Sequence, residues 1–312
     1  MTMAHESLET LQATRHRVAA HLVGRERELE LALAAVSAGR DLVLEGPPGT
    51  SKTTMLKAIT EEWGIPLVFV EGNADLTSGK LVGHHNPARV LREDYSADTF
   101  VAGPLVEAMR QGGFLYIEEF NRAPEDTLNT LLTAMADRSI EVPRVGRVEA
   151  LPTFRVIASM NPFDNVGTTR LSTSVSDRLN RIVVGYQDAE AERGIVALRT
   201  GLGSGSGAEA AARVIPDAVA VTRATREHPD VRQGSSVRGA IDCALVTHEL
   251  LGLRGQGVDD EDAYPATFFD AMLVSLSGRI HVDEASETTP ERVLREIWED
   301  HFVLEPARAE PG

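Results

Sequence analysis

The sequence is poor in cysteine and in long apolar runs, and each shortage excludes a class of protein. A single cysteine, Cys243, cannot close a disulfide within the chain and excludes a metal site of four thiolates. We expect it to be a buried small hydrophobe rather than a nucleophile. No apolar stretch approaches the ~18 residues of a membrane-spanning helix, so no membrane insertion is expected. The first twenty residues lack the order of a signal peptide, so a cytoplasmic location is expected.

Basic residues are also in short supply. The 312 residues include 31 Lys and Arg against 47 Asp and Glu, which gives a formal net charge of −16. A chain this acidic does not bind a polyanion tightly without help, so no DNA partner is expected, although a local basic pore would escape the count. The remaining composition, 42% hydrophobic and 25% charged, is typical of a soluble globular protein.

Short apolar runs alternate with longer helical patterns through roughly the first 185 residues. The runs are Leu42–Leu44, Leu67–Val70, Phe114–Ile117, Arg155–Ala158 and Ile182–Val184. Runs too apolar to leave one face in water are typical of buried strands in a parallel sheet. Helical stretches between them, such as Lys52–Glu62, would cover the sheet. We therefore predict an α/β fold in which helices sandwich a parallel five-stranded sheet.

After Tyr186 the strand-like runs disappear, and a smaller helical domain is predicted. Pro216 is assigned to the first turn of a helix, and Thr288 with Glu291 resembles a capping box. The predicted parts are an N-terminal helical segment (1–22), an α/β domain (23–187) and a helical domain (188–312).

The segment Glu45–Thr53 has the pattern of a phosphate-binding loop, because it follows a predicted strand and opens a predicted helix. Its glycines let backbone N–H groups face phosphate oxygens, and the helix N-terminus adds partial positive charge. Lys52 would reach the β- and γ-phosphates, and the Thr53 hydroxyl would ligate Mg²⁺. Ser51 replaces the second glycine of the usual pattern, and an ordinary Gly/Pro turn is the alternative interpretation. The predicted nucleotide-binding residues here are Gly46, Pro47, Pro48, Gly49, Thr50, Ser51, Lys52, Thr53 and Thr54.

Two later strands end in polar residues that would lie beside this loop. The strand from Phe114 ends in Glu118 and Glu119, at the sheet edge where neighbouring phosphate loops lie. Glu118 would hold the metal ion through its waters, and Glu119 would polarise the attacking water. A further strand ends in Asn161, which could hold that water or the γ-phosphate from the opposite side. The alternatives are a solvated acidic turn and an ordinary Asn-Pro turn.

In this order, the three strand-end motifs resemble an AAA+ ATPase module, and their details are similar to the MoxR-like family. The stretches that carry the resemblance are Val23–Glu26, Glu118–Pro124, Met160–Phe163, Val175–Leu179 and Gly234–Arg238. The resemblance covers roughly residues 20 to 300. Within the family, Glu71–Leu76 and Met160–Asp164 look most like the ATPases that accompany carbon-monoxide-dehydrogenase maturation.

The resemblance implies a P-loop AAA+ module followed by an all-α lid, which hydrolyses ATP with Mg²⁺ at the interfaces of a ring, usually a hexamer. Val23 and Gly24 would lie on the adenine side. Arg178 would be the arginine finger, with nearby Arg181 as its rival, and Arg238 would be the sensor arginine of the lid. For either role the alternative is a cation on a helix surface.

The resemblance also implies a task. A partner with a von Willebrand factor A domain is expected, together with a client such as a metalloenzyme or a complex under assembly. Two inserted hairpins, at residues 83–101 and 139–150, would face the pore or the client, unless they are ordinary surface hairpins. Two other functions stay open: a nucleic-acid motor or loader, and a nucleotide-binding scaffold with little turnover. The second is left open because Ser51, and Glu118 where the family more often has aspartate, depart from the family pattern.

Overall fold

The computed structural model describes residues 8–93, 96–162, 171–202 and 208–304. The chain divides between Gly185 and Tyr186 into two compact units. Residues 1–7 of the predicted N-terminal segment, and Phe163 and Asp164 of the motif after Asn161, lie outside the described residues. No helix in the described ranges combines the length and the apolar character of a membrane span.

The first unit is built around one parallel sheet. Its elements are α1 (Leu8–Ala19), α2 (Glu26–Ser37), β1 (Leu42–Glu45), α3 (Lys52–Trp63), β2 (Leu67–Glu71), α4 (Ser78–Val82), β3 (Gly83–His85), α5 (Pro87–Glu93), β4 (Phe100–Ala102), α6 (Pro104–Gln111), β5 (Phe114–Glu118), α7 (Glu125–Asp137), β6 (Ser139–Val142), β7 (Gly146–Glu149), β8 (Arg155–Met160), α8 (Thr173–Ser176) and β9 (Asn180–Val183). The sheet order is β2-β5-β8-β1-β9, with every neighbouring pair parallel. The predicted five-stranded parallel sheet is confirmed.

Both faces of the three central strands, β5, β8 and β1, are buried, which is why these strands are mostly apolar. On β5, Phe114 and Tyr116 pack with α1, α2 and α3, whereas Leu115 and Ile117 pack with α6 and α7. Side chains alternate along a strand, so Glu118 follows Tyr116 on the α3 side of the sheet. This alternation places an acidic group beside the start of α3.

Two antiparallel hairpins interrupt the α/β pattern, and both were predicted. Gly83 of β3 pairs with Ala102 of β4, and α5 lies between these strands. The second hairpin pairs β6 with β7. The imidazole Nε2 of His85 lies 3.2 Å from the carbonyl oxygen of Pro143, so the two hairpins contact each other.

The second unit is mostly helical. Its elements are α9 (Ala189–Thr200), α10 (Ala208–Glu227), β10 (Val231–Gln233), α11 (Val237–Arg254), α12 (Ala263–Leu276), β11 (His281–Val282), α13 (Pro290–Glu299) and a π-helical turn (Asp300–Leu304). The expectation of an all-α lid is wrong in one detail, because β10 and β11 form a small antiparallel pair. Strands of three and two residues are too short to produce an alternating pattern in the sequence.

Two predicted helix boundaries in this unit are also wrong. Pro216 lies inside α10 rather than in a first turn, because buried residues such as Val214 and Ala218 anchor the helix on both sides of the proline. The cap of α13 is Thr289, whose hydroxyl accepts a hydrogen bond from the Arg292 N–H, and not Thr288. Thr289 directly precedes Pro290, the first helical residue, which is the place of an N-cap.

Cys243 lies on α11 in the core of the second unit, as expected. It is 0% exposed and belongs to the same apolar cluster as Tyr264 and Phe268. Burial raises the pKa of its thiol to about 12, so the thiolate that would act as a nucleophile is scarce at neutral pH.

Candidate nucleotide-binding site

The predicted phosphate loop joins β1 to α3 at the carboxyl edge of the sheet. The Gly46 N–H donates to the Met160 carbonyl oxygen at 3.0 Å, and the Thr50 hydroxyl donates to the Pro47 carbonyl oxygen at 2.9 Å. A Cβ atom on Gly46 would lie 2.0 Å from the carbonyl oxygen of Val184, so a larger residue does not fit. The first glycine of the motif is therefore required by packing against the end of β9.

The ammonium group of Lys52 lies against the loop. Its Nζ donates to the carbonyl oxygens of Gly46 at 2.9 Å and Pro47 at 2.7 Å, and to the Thr50 hydroxyl at 3.2 Å. Lys52 is also the first residue of α3, and the N–H groups of a first turn have no acceptor within the helix. One ammonium group and a helix N-terminus thus lie together, an arrangement suited to an anion such as a phosphate.

Ser51 has a left-handed backbone conformation, with φ 65° and ψ 18°. This is the position at which the usual motif has glycine, and glycine adopts that conformation without the clash that a Cβ atom causes. Serine in place of glycine at position 51 therefore strains the backbone directly before α3.

The start of α3 meets the end of β5 through Thr53. Its hydroxyl donates to Oε1 of Glu118 at 3.1 Å, across 65 residues of sequence. A hydroxyl and a carboxylate oxygen side by side, next to a lysine-bearing loop, are the donors that Mg²⁺ takes when it also binds nucleotide phosphates. The donor set therefore fits the predicted metal ion.

Tyr116 is part of this group, although its place was not predicted from the sequence. Its phenol oxygen lies 3.1 Å from the Thr53 hydroxyl and 3.0 Å from the Ser159 hydroxyl of β8. Burial raises the pKa of the phenol above its usual value, so the group remains a protonated donor at neutral pH. The available signal was the strand period, because Tyr116 stands two residues before Glu118 and faces the same side.

Glu119 follows in a left-handed conformation, with φ 52°, and its carboxylate lies 3.1 Å from the Arg122 guanidinium. The backbone here passes very close to Gly72, which follows β2. The Gly72 N–H donates to the Glu118 carbonyl oxygen at 2.7 Å, and a Cβ on Gly72 would lie 2.4 Å from the Glu119 carbonyl oxygen. Gly72 is a second residue whose role was missed.

Asn161 directly follows β8, the strand between β1 and β5. Its carbonyl oxygen accepts a hydrogen bond of 3.4 Å from the side-chain amide of Asn121. Asn121 is buried and belongs to the segment after the acidic pair. The segments that follow β5 and β8 are therefore joined to each other.

The two rival arginines differ in their surroundings. The Arg181 guanidinium forms a two-pronged ion pair with Glu45, in which the Nη2 to Oε1 distance is 2.8 Å. Arg178 is exposed and donates to the Ser174 carbonyl oxygen at 3.0 Å. It has no carboxylate partner among the described residues.

Arg178 also lies at the opposite edge of the sheet from the phosphate loop. It comes two residues before Asn180, which pairs with Leu42 at the amino end of β1. The phosphate loop leaves the carboxyl end of β1, about 10 Å further along the strand direction. Arg178 therefore does not belong to the cluster around Thr53.

The remaining predicted residues lie in two other places. Val23 and Gly24 connect α1 to α2, next to Arg25. Arg25 is 3% exposed, and its Nη2 donates to the Gly185 carbonyl oxygen at 2.6 Å, which ties this connection to the backbone after β9.

Arg238 belongs to the second unit, where it is the exposed second residue of α11. The turn before α11 is held by Arg226, whose Nε donates to the Ser235 carbonyl oxygen at 2.7 Å. The Arg226 side chain also lies 2.8 Å from Glu192 and 3.9 Å from the centre of the Tyr186 ring. The start of α11 is thus fixed within its own unit.

Comparison with known proteins agrees with this arrangement. Residues 41–179 match the model of the AAA domain, dynein-related subfamily. The chain is 30% identical over 273 residues to the gas vesicle ATPase GvpN of Ancylobacter aquaticus, a match that covers 82% of this chain and 72% of that protein. It is 28% identical over 272 residues to the gas vesicle ATPase GvpN2 of Halobacterium salinarum, with 82% and 74% covered.

A similar fold occurs in a solved structure of NtrX from Brucella abortus in complex with ADP. The TM-score is 0.52 at 23% sequence identity, and the match covers 95% of this chain and 65% of that one.

Proposed function

Because the chain belongs to the AAA+ ATPase family and is related to the gas vesicle ATPases, we propose that it hydrolyses ATP in a ring and uses this to remodel or assemble a protein client. The proposal is carried by the 3.1 Å hydrogen bond from Thr53 to Glu118, because it joins the phosphate loop to the acidic strand end. In the alternative interpretation, a solvated acidic turn, the Glu118 carboxylate would be hydrogen-bonded to water rather than to Thr53 of α3.

The residues of the first unit would divide the work as follows. The loop amides and Lys52 would bind the β- and γ-phosphates. Thr53 would ligate Mg²⁺, and Glu118 would hold the ion through its waters. When bound, Mg²⁺ neutralises charge on the phosphates. Glu119 accepts a proton from the attacking water, and Asn161 orients that water or the γ-phosphate.

The position of Arg178 supports a ring. An arginine at the amino edge of the sheet cannot reach the phosphate loop of its own chain, but its exposure leaves it available to a neighbouring subunit. Arg181 is engaged by Glu45, which favours Arg178 as the finger. A hexamer is the expected ring, with Arg238 acting on the nucleotide of its own subunit.

The client and the partner are proposed from the relatives and from the sequence motifs. Assembly of a multiprotein structure is supported by the names of the relatives, which are gas vesicle ATPases. Maturation of a metalloenzyme is supported only by the stretches Glu71–Leu76 and Met160–Asp164. A partner with a von Willebrand factor A domain is proposed from the resemblance of the motifs to the MoxR-like family. This partner should copurify with a Glu119→Gln variant purified in the presence of ATP. Repeated recovery of that variant without such a partner would count against this part.

The ring mechanism has a sharp test in mixed assemblies. Glu119→Gln and Arg178→Ala should each abolish turnover, and loss of the finger alone can cost about 10³–10⁵ in rate. Mixed in equal amounts, the two inactive proteins should recover about a quarter of the wild-type rate, because one interface in four pairs an intact Glu119 with an intact Arg178.

Arg181→Ala is the matched control, because it removes a neighbouring arginine that Glu45 already binds. It should retain most of the activity. A mixture as inactive as its components would refute a finger supplied by the neighbouring subunit. Phosphate release by the wild type no faster than by Glu119→Gln would instead identify a nucleotide-binding scaffold.

A further inference from the structure

Tyr116 brings a phenol into a group of polar atoms that joins three elements. Its ring is 0% exposed and packs edge-on against Phe69, with 5.7 Å between the ring centres. The oxygen of this fixed ring contacts Thr53 at the start of α3 and Ser159 on β8. A tyrosine side chain held in this way has little freedom to turn its oxygen elsewhere.

Counting protons assigns a direction to the contact between Tyr116 and Thr53. Tyr116 has one phenol proton and donates it to the Ser159 hydroxyl oxygen at 3.0 Å. Thr53 is therefore the donor in its contact with the Tyr116 oxygen, and its one hydroxyl proton is shared between that oxygen and Oε1 of Glu118, each 3.1 Å away. Both lone pairs of the Thr53 oxygen are left on the side away from these two acceptors.

We propose that Tyr116, braced by Ser159, is a positioning residue that holds the Thr53 hydroxyl proton toward itself and Glu118, so that the lone pairs of the Thr53 oxygen stay available to Mg²⁺ bound with nucleotide. This inference rests on the proposed function, since it needs a metal-nucleotide complex at the loop. A phenol that merely satisfied its own hydrogen bond in the core would contribute to folding and leave the metal dependence unchanged.

Binding of methylanthraniloyl-ADP separates these two roles, because it can be measured in EDTA and across a Mg²⁺ titration without turnover. Tyr116→Phe removes only the hydroxyl. Its affinity in EDTA should equal that of the wild type, whereas the Mg²⁺ concentration for half-maximal binding should rise about threefold to tenfold, the effect of one hydrogen bond. Ser159→Ala should raise the same midpoint by a smaller factor.

Tyr264→Phe is the matched control. It also removes a buried phenol hydroxyl, which donates to Asp217 at 2.7 Å, but it lies in the second unit. It should lower thermal stability and leave the Mg²⁺ midpoint unchanged.

Each outcome decides the inference. Equal Mg²⁺ midpoints for the wild type and Tyr116→Phe would overturn it while the proposed function stands. If Tyr116→Phe does not fold, Ser159→Ala decides: a raised midpoint supports the inference and an unchanged one overturns it. Wild-type binding that ignores Mg²⁺ altogether would overturn both the inference and the proposed function.

Discussion

The left-handed conformation of Ser51 leads to a prediction about stability that contrasts two substitutions at one position. Ser51→Ala keeps the Cβ atom and its clash at φ 65°, whereas Ser51→Gly removes both. A left-handed residue with a Cβ costs about 1–2 kcal/mol, and glycine loses about 0.5–1 kcal/mol of this through its greater freedom in the unfolded chain. The glycine variant should therefore be more stable than the alanine variant by about 0.5–1 kcal/mol. Both variants lack the hydroxyl, so its contacts cancel.

The chain provides an assay that reports on the first unit alone. Of its two tryptophans, Trp63 ends α3, where its ring packs edge-on with Phe114 at 6.5 Å, and Trp298 lies in the second unit. In a Trp298→Phe background, fluorescence during urea unfolding follows Trp63 only. With a slope of about 2 kcal/mol/M, the glycine variant should unfold about 0.3–0.5 M later than the alanine variant.

Lys57 is the control position, because it is exposed on the same helix and its backbone is helical. There the order should reverse, and Lys57→Ala should be more stable than Lys57→Gly by about 1 kcal/mol. If Ser51→Gly unfolded at the same urea concentration as Ser51→Ala, or earlier, the loop would not carry the strain that its backbone angle implies.

Two further predictions concern a close backbone contact and the single cysteine. Gly72→Ala should reduce turnover at least about tenfold while nucleotide still binds. The added methyl group would displace the backbone of Glu119, and a small displacement of a catalytic group lowers the reaction rate strongly. Unchanged phosphate release would contradict this prediction. Cys243 should ignore a thiol reagent at pH 8 until urea unfolds the second unit. Folding raises the pKa of the Cys243 thiol from 9.0 to about 12, so the fold favours the protonated thiol. The stabilisation that this gives is complete below pH 9.0. Between pH 9.0 and about 12 the free energy of unfolding should fall by about 1.4 kcal/mol per pH unit, because only the unfolded chain loses the proton there. A Cys243→Ala variant with the same decline would remove this explanation.

The parts of the fold that were predictable are those recorded in consecutive residues. Runs such as Phe114–Ile117 are apolar on both faces because helices cover both faces of the sheet there. The strands and their parallel orientation could therefore be inferred from the sequence. The mistakes occurred where local signals compete with packing. A proline usually lies in the first turn of a helix, but α10 continues through Pro216 because the helix has buried apolar residues both before and after the proline. The two short strands of the second unit left no pattern to detect.

The site, like the fold, could be predicted from the sequence only in part. The loop and the acidic strand end each lie within one segment, and parallel topology brings them to one sheet edge. What remained hidden depends on atoms far apart in sequence. No local pattern announces that Gly72 lies against the Glu119 carbonyl oxygen, or that Arg181 is bound by Glu45. The conformation of Ser51 could have been suspected, since the motif has glycine at that position for its backbone angle.

The departures from the usual motif gain meaning when they are considered together. Glutamate at position 118 reaches one methylene further than aspartate, and its Oε1 still lies within 3.1 Å of the Thr53 hydroxyl. On another side of that hydroxyl stands the Tyr116 phenol, 3.1 Å away and fixed by its buried ring. Thr53 is thus restrained from two directions, which limits how far a longer acidic side chain can draw it out of place. A longer carboxylate at position 118 and a tyrosine between the aliphatic Leu115 and Ile117 are therefore two parts of one arrangement around the hydroxyl that we expect to meet the metal ion.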